Sequence, residues 1–140
     1  MQPRILTVGV FDYFHYGHVR LFNQIKSLYP RSHLIVAVQD EDSILKYKPD
    51  AIIFYSTEVR CELVRALRLV DEVITYKNVA DIVREADFDI FAVGEDQDHP
   101  GFRRAIGYCR RQGREILRLS RTPNISSTTL KENFTCKGDA

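Results

Sequence analysis

The stretch ILTVGVFDYFHYGHVRLFNQIKSLY, residues 5–29, joins two kinds of periodicity across one short turn. Residues 5–10 form a β-rich apolar run, which reads as a buried strand. From His18 on, the apolar residues Leu21, Phe22, Ile25, Leu28 and Tyr29 recur with the 3.6-residue period of an amphipathic helix. A strand therefore enters a helix through the octet FDYFHYGH, residues 11–18, and two of the four histidines in the chain flank a glycine at the junction.

The same alternation continues downstream. Residues 33–38 are β-rich, Ser56 can cap a helix carrying Val59, Leu63, Val64 and Leu67, and residues 72–75 form a short strand. Asn78 can cap the next helix, with Val79, Ile82, Val83 and Ala86 on one side; residues 88–93 make the following strand. Phe102, Ala105, Ile106 and Cys109 give a helix stopped near Gly113, residues 116–119 form the last strand, and a final helix begins at Ser126. Strands alternating with helices predict an α/β fold: a doubly wound, five-stranded parallel sheet in a single domain over residues 1–140, with 132–140 a candidate disordered tail. The segment 39–55 shows no period and is expected to be one long functional loop.

The 140 residues are ordinary globular in composition, 44% hydrophobic and 28% charged. The net charge is only +1, so no global field favours nucleic acid or an anionic membrane, and any anion site must be local. The arginines crowded into 103–121 read as a solvated basic helix face. Three cysteines without a CxxC pair fit a reduced, cytoplasmic setting. No apolar run approaches the roughly 20 residues that span a bilayer, so no membrane anchoring is expected.

In doubly wound sheets ligands bind beyond the carboxyl ends of the strands. The first strand ends at Val10, immediately before the octet, and a helix starting near Gly17 points unpaired N–H groups and its positive dipole end at that crevice. His15 and His18 are spaced to share a helix face, and Gly17 permits close approach. This arrangement suits a phosphate. Zinc ligation would need a third ligand, for which Asp12 is the local candidate; isolated histidines such as His33 and His99 read as packing or capping residues.

Three segments carry a resemblance. GVFDYFHYGH (9–18) resembles the GxFDxxHxGH signature of the nucleotidyltransferase superfamily, and more closely that of the cytidylyltransferases. VRCELVRALRLVDEVI (59–74) resembles the arginine-bearing helix that leads into their Val-Asp-Glu-Val segment, and RTPNISSTTLK (121–131) is similar to their closing Arg-Thr-x-Gly-Ile-Ser-Thr-Thr signature. The likeness runs from Arg4 to about Phe134. It implies a Rossmann-like fold and transfer of CMP from CTP to a small phosphorylated acceptor, with release of pyrophosphate and no covalent enzyme intermediate.

The resemblance also assigns roles. His15 and His18 would hydrogen-bond the CTP phosphates, Lys48, with Lys46 as second candidate, would bridge the acceptor phosphate and the α-phosphate, and Arg68, preferred over Arg60, would complete the catalytic set. Gly9, Val10, Phe11, Asp12 and Gly17 would surround the nucleotide. Arg121, Thr122, Ser126, Ser127 and Thr128 would hold the β- and γ-phosphates, and Asp96 would contact the nucleotide or a Mg²⁺ ion. Asp71 and Glu72 read as capping or pairing residues. A homodimer is implied, with the helix carrying Arg60 to Arg68 near its interface.

Some positions depart from the pattern. Val10 stands where the glycerol-phosphate branch has threonine, and Pro123-Asn124 where it has Glu-Gly, while the run 27–38 is closer to the choline-phosphate branch. The acceptor stays open among polyol phosphates, choline phosphate and other phosphorylated small molecules. Two other readings of the residues are adenylyl transfer from ATP, which ISSTTLK (125–131) also fits, and a catalytically silent nucleotide-binding regulator.

Overall fold

The computed structural model describes residues 2–120. Its five strands, β1 (Arg4–Gly9), β2 (His33–Gln39), β3 (Glu72–Tyr76), β4 (Ile90–Gly94) and β5 (Glu115–Leu119), form one parallel sheet in the order β3-β2-β1-β4-β5. Helices α1 (Tyr16–Leu28), α2 (Glu41–Tyr47), α3 (Thr57–Arg65), α4 (Val79–Glu85) and α5 (Pro100–Arg111) connect them. The chain winds outward from β1 through β2 to β3, then returns to place β4 on the other side of β1. The order reverses between β1 and β4, where a crevice opens at the carboxyl edge.

Period-two alternation sorts the sheet residues onto two cores. Ile5, Leu34, Val36, Val38, Ile90 and Ala92 pack with Phe22 and Ile25 of α1 and with Cys61 and Val64 of α3. Leu6, Val8, Ile35, Ala37, Phe91 and Val93 face the other way, onto Val79, Ile82 and Val83 of α4 and Phe102, Ala105, Ile106 and Cys109 of α5. Both described cysteines are buried and unpaired.

Two expectations need correction. The segment 39–55 is not one loop: Asp40 caps α2 by accepting from the Ser43 N–H at 2.7 Å, and the irregular part begins only after Tyr47. A helix of seven residues is too short to impose a hydrophobic period, and the cap signal was the only local trace of it. The fourth strand starts at Ile90 rather than 88. Phe88 is nevertheless buried, beneath the Arg114 guanidinium at 4.1 Å. The helix expected from Ser126 lies outside the described residues.

At the amino edge of the sheet Asp71 ties three elements together. Its Oδ2 accepts from Lys26 Nζ at 2.7 Å and from the Leu34 N–H at 2.8 Å, so α1, β2 and the entry to β3 share one carboxylate. Glu72 beside it takes the His33 ring at 2.8 Å and Arg4 at 3.5 Å. The Lys26 and Leu34 hydrogen bonds hold the Asp71 carboxyl below its usual range, outweighing the desolvation that pushes it up. Asp71→Ala should lower the unfolding free energy by about 1 kcal/mol, because the half-exposed site allows water to replace part of what is lost; urea unfolding measures it, and an unchanged midpoint would contradict the tie.

Candidate active site

At the carboxyl end of β1 the chain makes a turn stabilised by its own side chains. His15 is the N-cap of α1 and its Nδ1 accepts from the Gly17 N–H at 3.0 Å. His18, at the third helical position, accepts at Nδ1 from the His15 N–H at 3.2 Å. Both Nδ1 atoms are thus acceptors, which places the imidazole proton of each neutral ring on Nε2. The two rings stack with centroids 3.9 Å apart. Desolvation, followed by repulsion from His15, lowers the His18 pKa to about 3. His18 is therefore a neutral Nε2–H donor across the physiological range.

Behind the rings the backbone is strained. Phe11 and Tyr13 have φ of 57° and 49°, left-handed values that non-glycine residues seldom adopt. Phe11 folds its buried ring back over Gly9, where a Cβ would lie 2.8 Å from the Phe11 ring, and meets His18 edge-on at 5.1 Å. Position 9 must be glycine for that ring to lie there. Tyr13 stacks on Phe54 at 5.0 Å.

Asp12, only 1% exposed, sits between these two residues and accepts from the Phe54 N–H at 2.8 Å and the Tyr55 N–H at 3.0 Å. It clamps the 48–56 segment to the histidine turn. Arg60, fully buried, completes the clamp: Nη1 donates to the carbonyls of Val10 at 2.9 Å and Gln39 at 2.7 Å, Nε to that of Tyr55 at 3.1 Å, and Nη2 to Thr57 Oγ1 at 3.2 Å. Burial lowers the Arg60 pKa, an effect opposed by the nearby charge of Asp12.

A cleft of about 1040 Å³ opens at the carboxyl edge on the α4/α5 side, walled by Ile44, Ile52, Ile53, Tyr76, Val79 and Phe102 and floored by Gly9 and Val10. Lys48 and Asp96 reach it, whereas His15, His18 and Lys46 do not line it. Lys48 is the C-cap of α2, with its N–H donating to the Ile44 carbonyl, so its side chain leaves the helix toward the cleft. Lys46 is an exposed residue in the last turn of α2.

The placement of Arg68 differs from the expectation. Helix α3 ends at Arg65, and turns closed by Leu67 N–H to Val64 and Val70 N–H to Leu67 carry the chain to the amino end of β3. Arg68 is exposed there, near the Asp71 to Leu34 backbone contact, rather than two helical turns along the flank of Arg60. The physical reason is polarity: α3 runs antiparallel to the strands, so Arg60 in its first half lies at the carboxyl edge and Arg68 beyond its end lies at the opposite one. Arg121, Thr122, Ser126, Ser127 and Thr128 lie outside the described residues.

Several residues at this edge carried no functional assignment in the sequence. Gln97 joins β4 to β1, accepting from the Gly94 N–H at 2.9 Å and donating to the Val8 carbonyl at 3.3 Å. His99 caps α5 and lines the cleft with Arg104, Asn78 and Asp50. His99-Pro100-Gly101 did carry a signal, a cap followed by proline at the first helical position. It repeats the His15-x-Gly17 arrangement, with Nδ1 accepting from the Gly101 N–H at 3.1 Å.

Among the described residues no group of three or more His, Cys, Asp or Glu could hold a metal ion. Asp96, at the end of the cleft, could supply the single carboxylate that Mg²⁺ commonly takes when substrate phosphates provide its other ligands. No described helix is long and apolar enough to cross a membrane.

Comparison with known proteins agrees with the geometry. Residues 6–133 match the model of the family described as cytidylyltransferase-like. The glycerol-3-phosphate cytidylyltransferase of Bacillus spizizenii is 35% identical over 138 residues, covering 95% of this chain and 98% of that protein. The FAD synthase of Thermococcus onnurineus is 39% identical over 97 residues, 67% of this chain and 63% of that one. Among solved structures, the lipopolysaccharide core biosynthesis protein from Thermoplasma volcanium GSS1 superposes with a TM-score of 0.71 at 25% identity, covering 87% of this chain and 99% of that one. The match spans nearly the whole sequence and includes the histidine-capped turn at the switch point: the chain belongs to the cytidylyltransferase-like family and is a nucleotidyltransferase.

Proposed function

We propose that the protein transfers the cytidylyl group of CTP to a phosphorylated small-molecule acceptor. The observation that carries this reading is the pair of imidazoles at the start of α1, both with Nδ1 engaged by backbone N–H groups. An oxygen of the acceptor phosphate attacks the α-phosphorus of CTP, the bond from that phosphorus to the oxygen bridging to the β-phosphorus breaks, and pyrophosphate leaves. His15 and His18 donate from Nε2 to phosphate oxygens on which charge grows, from a turn that needs no reorganisation. Lys48 meets the acceptor phosphate in the cleft and lowers the repulsion between two anions. Mg²⁺ belongs to the proposal as the cation of the triphosphate: Asp96 would hold it together with phosphate oxygens, and it would neutralise charge there.

The glycerol-3-phosphate cytidylyltransferases, which match over 95% of this chain, support a small phosphorylated molecule as acceptor and leave its remaining groups open. A second reading has a specific observation behind it, the FAD synthases at 38–39% identity over 97 residues, since FAD contains an adenylyl group. A homodimer is also proposed, through the outer face of α3 and the segment before it, where Val59, Leu63 and Phe54 expose apolar surface.

Pyrophosphate release with CTP, ATP, UTP and GTP against phosphorylated alcohols, amino alcohols and acids should be greatest with CTP. Turnover with ATP and none with CTP would replace the cytidylyl reading by the adenylyl one. His18→Ala should lower kcat about a hundred-fold to a thousand-fold while costing only about 1 kcal/mol of stability for the lost hydrogen bond to the His15 N–H; an unfolded variant would make the ring structural.

The His18 pKa predicts a pH effect with a definite sign. Between its ordinary value of 6.5 and about 3 the unfolded chain binds a proton that the folded chain does not. Its contribution to stability should be complete above 6.5 and fall as the pH drops through that window. Thermal melts of wild type and His18→Gln, which retains an acceptor at the third helical position, should converge as the pH is lowered. Parallel curves would refute the assignment.

A further inference from the structure

The cleft offers positive charge or fixed donors at two places, and the attacking phosphate of the acceptor needs only one of them. Lys48 stands at the end of α2, which follows β2, whereas His99 and Arg104 belong to α5, which follows β4. Because β1 lies between these strands, their ends are about 10 Å apart at the usual strand spacing. The carboxylates of Asp50 and Asp96 also line the cleft. A lone phosphate at Lys48 would leave the α5 pair unused.

The α5 pair is built for an anion. The His99 ring is held by its Nδ1 bond to the Gly101 N–H at 3.1 Å and by an edge contact with Phe102 at 4.6 Å, so its neutral form carries the proton on Nε2. Gly101 is required, since a Cβ there would lie 2.8 Å from the ring. Arg104, one turn further along α5, lines the same cleft and makes no ion pair among the described residues. A guanidinium and a fixed N–H donor presented to one cleft from the start of the same helix suit the two oxygens of a carboxylate.

Given a phosphorylated acceptor, as proposed above, we infer that this acceptor also carries a carboxylate, which Arg104 and His99 bind while Lys48 binds the phosphate. The substrate class is then a phosphorylated carboxylic acid, and His99 and Arg104 are specificity-determining residues for it. The Arg104 side chain is exposed, so its replacement does not disturb the core.

A matched pair of probes tests this. 3-Phosphoglycerate and glycerol 3-phosphate share a three-carbon phosphate skeleton and differ in a carboxylate against a hydroxymethyl group. Each is titrated calorimetrically into the protein saturated with the α,β-methylene analogue of CTP. 3-Phosphoglycerate should bind at least about tenfold more tightly. Arg104→Gln should abolish that preference, and His99→Asn, which keeps the cap, should reduce it, with affinity for the nucleotide analogue unchanged in both. Equal affinity, a preference for glycerol 3-phosphate, or binding of neither would overturn the inference; so would variants that weaken the nucleotide instead, which would make the pair a reader of base or ribose. Failure of the cytidylyl reading shows separately, as absence of pyrophosphate release from CTP with every acceptor.

Discussion

The guanidinium of Arg60 is the contact on which the rest of the site depends. In a parallel sheet the carbonyls at the carboxyl edge lose their ladder partners where the strands end, and buried carbonyls must find donors elsewhere. Arg60 supplies them to Val10 after β1, to Gln39 at the end of β2 and to Tyr55 before α3. Burying a cation costs several kcal/mol. Here that cost is offset by hydrogen bonds to three carbonyls and a hydroxyl and by the charges of Asp12, Glu41 and Asp40 nearby. One side chain thus sets the distance between the histidine turn and the segment that carries Lys48.

The turn is rigid for a related reason. Left-handed backbone at Phe11 and Tyr13 costs about 1–2 kcal/mol per residue, and such conformations persist only where the surroundings over-determine them. Phe11 is held by its burial against Phe22 and His18, Tyr13 by its stack on Phe54, and Asp12 between them by two backbone N–H groups. The donors at Nε2 of His15 and His18 are therefore oriented before any ligand arrives, as electrostatic stabilisation of a transition state requires.

A histidine cap followed by glycine two residues later opens both α1 and α5, the long helices on opposite faces of the sheet. The device spends Nδ1 on the helix and leaves the proton of the neutral ring on Nε2. At 15–18 a second histidine made it conspicuous. At 99–101 an isolated histidine looked like ordinary capping, which it is, and its place on the cleft wall came from the return of the chain to β4 beside β1.

What the sequence determined by itself is local. Alternating apolar residues place β1, β2, β4 and β5, helical spacing places α1 and α5, and the cap at His15 needs only neighbours within three positions. Those features rest on periodicity and short-range hydrogen bonds, which are written along the chain. Tertiary structure decided the rest. It put Arg60 rather than Arg68 at the carboxyl edge, because the direction of α3 assigns its two ends to opposite edges of the sheet. It separated Lys48 from Lys46, because a seven-residue helix with no visible period ends between them. It also assembled the cleft from residues as distant as Gly9 and Arg104, which meet only because parallel strands bring their carboxyl ends together.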